Sequence, residues 1–313
     1  MSDRKFEFDL YRLNIVDNED EYKGRPVKNN TQIAAVLKQM TDSKYDMEAH
    51  NTKSTISWSF RQFDQFISSE GQIVYRVILA RSVKEQEGDT VTDDGLESTR
   101  SAISPPLAIS VAMLFYEERH LVAVEHNSTI TGGQAWLRVF RKMSDKSAQS
   151  MGLDSYFVLS PVPEKNSLLE TLRSFSTLFR LHTKIRLPNP ELTRYTKELY
   201  GQLKSSAIRE YRQDMRNRQE GLNTQEGSLA HSSVALAESG YNDGDLILIG
   251  IRTEGKVEKV VVGKTAARGR ISLTKEQMRT LTPNDAFLQG LHPVDEIIRA
   301  INHIHPVDGN ANV

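Results

Sequence analysis

Residues 204–219, KSSAIREYRQDMRNRQ, carry five cations and two acids in a chain whose formal net charge is −1. The arginine side chain is a planar fork of donors that matches phosphate, and a row of them suits successive phosphates along a nucleic-acid strand. Taken as a helix, with about 100° between neighbours, the stretch gathers Arg209, Arg212 and Arg216 on one flank and sends Glu210 and Asp214 to the other. Ile208, Tyr211 and Met215 form the stripe that would anchor it, and Lys204 stands at its head.

A second basic stretch follows. From Arg252 to Arg270 there are six cations and two acids, a local charge of +4. Lys264, Arg268 and Arg270 lie in its loop KTAARGR, where Gly263 and Gly269 would let the backbone approach a phosphate. The plainer alternative is that these cations pair with acids elsewhere or keep a surface soluble. Two patches in the last third favour binding, so Lys204, Arg209, Arg212, Arg216, Lys264, Arg268 and Arg270 are the expected nucleic-acid contacts.

Catalytic chemistry finds less support. Asp245 with Glu254 and Lys256 has the acid and E-x-K composition of a metal-dependent nuclease, but the E-x-K falls in a hairpin turn rather than inside a strand. His303 and His305 would point about 200° apart on a helix, so they cannot share an ion with His292 while helical. His120 and His126 flank one strand with no acidic partner in register, which marks them as ordinary core or surface residues. P-loop, G-x-G-x-x-G and G-x-S-x-G motifs are absent. No catalytic residue, metal or cofactor is expected.

Period-two alternation predicts strands at Phe6–Val16, Gln72–Ala80, a hairpin of PLAISVAMLFY and LVAVEH, SYFVLSPV, Thr177–Leu187 and a second hairpin of DLILIGI and KVEKVVVG. Helical spacing predicts helices at Thr31–Met40, after Gly132-Gly133, around Leu168–Leu172, over Glu191 to about Gln219, near 229–239, and near Thr274–Leu281 and Pro293–His303. Residues 84–100 hold six acids and little to bury, so they are expected to form a mobile acidic loop. Hairpins outnumber any βαβ spacing, which gives an α+β fold of mostly antiparallel sheets, packed helices and one long basic amphipathic helix. The expected organisation is an α+β domain over 1–190, the long helix and linker over 191–228, and a hairpin-plus-helices region over 229–313.

The 313 residues are 38% hydrophobic and 26% charged, which excludes a disordered chain. No apolar run approaches a bilayer span, and MSDRKFEFDLY lacks the core of a signal peptide, so a soluble cytoplasmic protein is expected. Without cysteine there are no disulfides, thiolate nucleophiles or zinc–thiolate sites.

The run AMLFYEERHLVAVEHNSTITGGQAWLRVF, followed by SYFVLSPV, FRLHTKIRLPNP and NDGDLILIGI, resembles in pattern and order the RexA family of phage exclusion proteins over residues 105–305. It is also similar to the DNA-binding component of the Kiwa defence system. That resemblance implies a cytosolic, homodimeric DNA-binding sensor in anti-phage defence, working with a membrane effector encoded nearby. The acidic 84–100 segment and the Ala/Ser-rich 229–239 segment depart from the pattern and leave the dimer contacts open. The expectation is sequence-nonspecific DNA binding through phosphates. Two rivals stay in view: the nuclease, and a protein-interaction scaffold whose seam is Tyr195, Leu199, Leu203 and Tyr211.

Overall fold

The computed structural model describes residues 5–17, 30–50, 54–93, 95–102, 104, 106–153, 155–186, 197–206, 208, 210–252, 255–284 and 293–306. Its first half runs β1 (Lys5–Asp17), α1 (Asn30–Met40), β2 (Met47–His50), β3 (Ser54–Ile67), β4 (Ile73–Thr92), β5 (Gly95–Ala102), β6 (Ala108–Tyr116), β7 (Leu121–Glu125), α2 (Ser128–Thr131) and α3 (Ala135–Ser150). The second half runs β8 (Ser155–Pro161), α4 (Ser167–Arg173), β9 (Phe175–Arg186), α5 (Lys197–Ser205), β10 (Glu210–Arg216), α6 (Leu229–Leu236), β11 (Leu246–Arg252), β12 (Val257–Val262), β13 (Arg268–Thr274), α7 (Lys275–Thr280) and α8 (Pro293–Ile304).

Every described strand pairing is antiparallel, and helices cover the sheets, so the fold is α+β. The larger sheet has nine strands ordered β13-β1-β7-β6-β4-β3-β2, with β5 on β4 and β8 on β1. On β6, Val111, Met113 and Phe115 enter a core with α1 and α3, while Ala112, Leu114 and Tyr116 enter a second core with α7 and α8. Helices on both faces explain why β6 and β7 are nearly continuous apolar runs instead of alternating ones. Trp136 of α3 is fully buried and meets Tyr11 edge-on at 5.1 Å. On α8, Val294, Ile297, Ile298 and Ile301 recur at helical spacing and make the stripe that covers the opposite face.

The smaller sheet, β10-β9-β11-β12, lays Leu181, Leu246 and Leu248 on Leu168 and Leu172 of α4 and Val234 of α6. Both sheets draw strands from either side of position 190, since β1 pairs β13 and β9 pairs β10 and β11. Among the described residues no helix is long and apolar enough to cross a membrane.

Two expectations are corrected. Residues 191–219 are not one long helix: α5 ends at Ser205, and Glu210–Arg216 is a strand paired along its length with β9. Tyr211, Gln213 and Met215 alternate inward along the strand, and β9 offers the backbone partners that a helix would have supplied internally. The 84–100 segment is likewise no loop. β4 continues to Thr92 and β5 returns, with eight paired positions from Glu85↔Ala102 to Thr92↔Gly95. Backbone hydrogen bonds hold this exposed ribbon, which carries Val91 and Leu96 in the open.

The proposed seam is also resolved in part. Leu199 and Leu203 are buried against Ile185, Leu236 and Tyr241, with Tyr211 packed beside them, so these residues belong to the chain's own core. Tyr195 lies outside the described residues.

Candidate phosphate-binding cleft

Strand alternation builds the site. On β1, Phe6, Phe8 and Leu10 go to the core, and Glu7 and Asp9 point to the other face. β13 lies alongside in a register that sets Arg270 opposite Glu7 and Arg268 opposite Asp9. On the other side of β1, β7 ends at Glu125, and His126 is fixed by its N–H to the Glu7 carbonyl at 2.8 Å. Lys275 opens α7 directly after Thr274, whose hydroxyl caps the helix through the Gln277 N–H at 3.2 Å.

The result is a cleft of about 590 Å³ lined by Lys5, Glu7, His126, Asn127, Ser128, Thr129, Arg270 and Lys275. Its fixed charges are Lys5, Arg270 and Lys275 against Glu7, a formal +2. Arg270 bonds Glu7 and holds that carboxyl below its ordinary range. Behind the wall, His126 Nδ1 is 2.7 Å from Asp9 Oδ2, and Arg268 Nε donates to Asp9 Oδ1 at 3.0 Å. A carboxylate only accepts, so the Asp9 contact places a proton on Nδ1. Arg268 Nη2 also lies 3.0 Å from Nδ1, where two donors meet and no hydrogen bond forms while the shorter 2.7 Å contact to Asp9 holds the proton; the Arg268 Nε bond to Asp9 keeps the guanidinium there.

Below lies Glu125, fully buried. It accepts from the Ala112 N–H at 3.0 Å and from Arg279 Nε at 3.1 Å and Nη2 at 2.7 Å. Lys275 Nζ sits 3.4 Å from the same carboxylate and donates to the His126 carbonyl at 3.1 Å. The cation at the cleft rim is thereby positioned from beneath.

The smaller sheet carries the other basic surface. On β9 and β10, Arg186 faces Glu210, Lys184 faces Arg212, His182 faces Asp214 and Arg180 faces Arg216, all on one side. The acids are therefore interleaved with the arginines instead of lying on a far flank. Arg180 grips Asp214 through 2.8 and 2.9 Å bonds, Arg216 adds two more, and the pair of guanidiniums drives that carboxyl far below its ordinary value. Lys184 and Arg186 share Asp243 and Glu210 at 2.8–3.6 Å.

The expected contacts divide accordingly. Arg268 and Arg270 share β13: Arg270 lines the cleft and bonds Glu7, and Arg268 lies behind its wall, bonded to Asp9. Arg212 and Arg216 share β10, where Arg212 is exposed without an ion pair among the described residues. Lys204 is exposed on α5 beside the Tyr200 ring, and Lys264 pairs with Asp245 at 2.9 Å. Arg209 lies outside the described residues, as does Glu254 of the nuclease arrangement. Gly269 serves packing: a Cβ there would fall 2.3 Å from the Phe8 ring and 2.7 Å from Ile304. The histidine reading also changes, since His126 has an acidic partner. Spacing in the sequence does not point to Lys5, Asp9 or Lys275, and it leaves His126 an ordinary residue, because strand register unites the four.

Residues 7–287 match the model of a family described as "Domain of unknown function (DUF4747)", and the chain belongs to that family. No curated protein matches it.

Proposed function

We propose that this member of the DUF4747 family is a nucleic-acid-binding protein, DNA being the expected ligand, that holds the strand by its phosphates with little reading of bases. The observation that carries this is the cleft, whose wall sets Lys5, Arg270 and Lys275 around one open space with a single acid among them. Phosphate contacts position a strand without reporting its sequence. Arg212, exposed on the basic face of β9 and β10, is a second contact of the same kind. The resemblance to phage exclusion proteins supplies the setting: a homodimeric component of an anti-phage system, acting with a membrane effector.

The test is binding of a labelled duplex over a salt series. Lys5→Ala with Arg270→Ala should lower the slope of log affinity against log salt by about 1.8, at about 0.9 per phosphate contact. Both side chains are exposed, so the double variant leaves the core intact. An unchanged slope takes the cleft out of the interface.

A further inference from the structure

The cleft contains a base as well as cations. His126 is joined through Nδ1 to a buried carboxylate contributed by another strand, 117 residues earlier in the chain. With Nδ1 donating to Asp9, Nε2 has no protein partner among the described residues, and the His126 residue lines the cleft. Arg268 keeps Asp9 in place, and Arg270 and Lys275 stand on the same wall. A fixed base beside cations is the set of groups that phosphoryl transfer to a neighbouring hydroxyl requires.

Building on the phosphate-binding reading, we propose that His126 is a general base and that the cleft cleaves RNA by attack of the ribose 2′-hydroxyl on the adjacent phosphate. His126 Nε2 takes the 2′-hydroxyl proton as the bond from O2′ to phosphorus forms and the bond from phosphorus to O5′ breaks. The departing O5′ takes a proton from water, and the imidazolium returns its own to solvent. The products are a 2′,3′-cyclic phosphate and a 5′-hydroxyl. The nucleophile belongs to the substrate and is already beside the phosphorus, so one well-placed base does the work of orientation and activation together. Arg270 and Lys275 stabilise the extra negative charge on the phosphorane oxygens. Asp9 acts as a positioning residue. DNA has no 2′-hydroxyl, so the same cleft holds it uncut.

The experiment incubates the full chain with a labelled RNA oligonucleotide and its DNA counterpart, EDTA present throughout, and reads both binding and end groups. RNA fragments ending in cyclic phosphate, with DNA bound but intact, are expected. His126→Gln should lower cleavage about 100-fold or more, and an unchanged urea-unfolding midpoint shows that the variant folds. Asp9→Asn should lower kcat without raising KM. Binding of both strands without cleavage, or cleavage that persists in His126→Gln, overturns the catalytic proposal and leaves the binding reading intact. Failure to bind either strand overturns both.

Discussion

Arg180 and Asp214 meet diagonally across neighbouring strands, joined by two hydrogen bonds of 2.8 and 2.9 Å. Arg216 closes on the same carboxylate from its own strand at 2.7 Å. One acid thus occupies two of the cations that would otherwise address a phosphate backbone.

Removing that acid should release them. Asp214→Asn is expected to raise nucleic-acid affinity and steepen the salt dependence by up to about two phosphate contacts, near 1.8 in slope. A salt titration by fluorescence anisotropy measures it. A slope unchanged from wild type would show that this sheet face never meets the strand.

Glu125 is buried with Arg279 and Lys275 gathered on its carboxylate. Glu125→Ala leaves the Ala112 N–H and the guanidinium without their acceptor, and should cost about 3–5 kcal/mol of stability. Urea denaturation reads the loss; a change below about 1 kcal/mol would mean that the ion pair behaves like a surface one.

Burial pushes the Glu238 carboxyl from its ordinary 4.5 up to about 7, even though the Leu168 and Leu169 N–H groups and Arg173 pull the other way. Between those values the folded chain holds a proton that the unfolded chain releases, so stability falls as pH rises from about 4.5 to about 7 and is level above. Glu238→Gln should remove this slope and leave the variant about 3 kcal/mol more stable than wild type at pH 8. Parallel stability curves for the two proteins would refute the assignment.

The ribbon of β4 and β5 is exposed over residues 86–91 on one strand and 95–99 on the other. Replacing residues 87–100 with a tight turn should change stability by no more than about 0.5 kcal/mol, the range of surface changes. A larger loss on thermal unfolding would reveal a docking partner for the ribbon, a second copy of the chain included.

Much of the fold was legible because its elements announce themselves locally. β1, β9, β11 and β12 alternate, β6 and β7 are apolar runs bounded by turn residues, and α1, α3, α4 and α8 carry stripes at helical spacing. β10 was not legible: Tyr211 and Met215, four apart, satisfy a helix as well as a strand, and only its pairing with β9 decides. The β4–β5 ribbon was missed for the opposite reason. Its strands bury almost nothing, so backbone pairing leaves no apolar pattern to read. Arg268 and Arg270 were visible as basic residues, but their acids, Asp9 and Glu7, lie at the other end of the chain.

The order of residues alone determined which segments could bury a face, and hence an antiparallel α+β architecture with two local runs of cations, 204–219 and 252–270, late in the chain. Tertiary structure decided which of those cations are spent on carboxylates, because charge is neutralised by whatever lies within a few ångströms and not by what lies near in sequence. It likewise made the cleft, for a histidine and an aspartate become a pair only once two strands have settled into register.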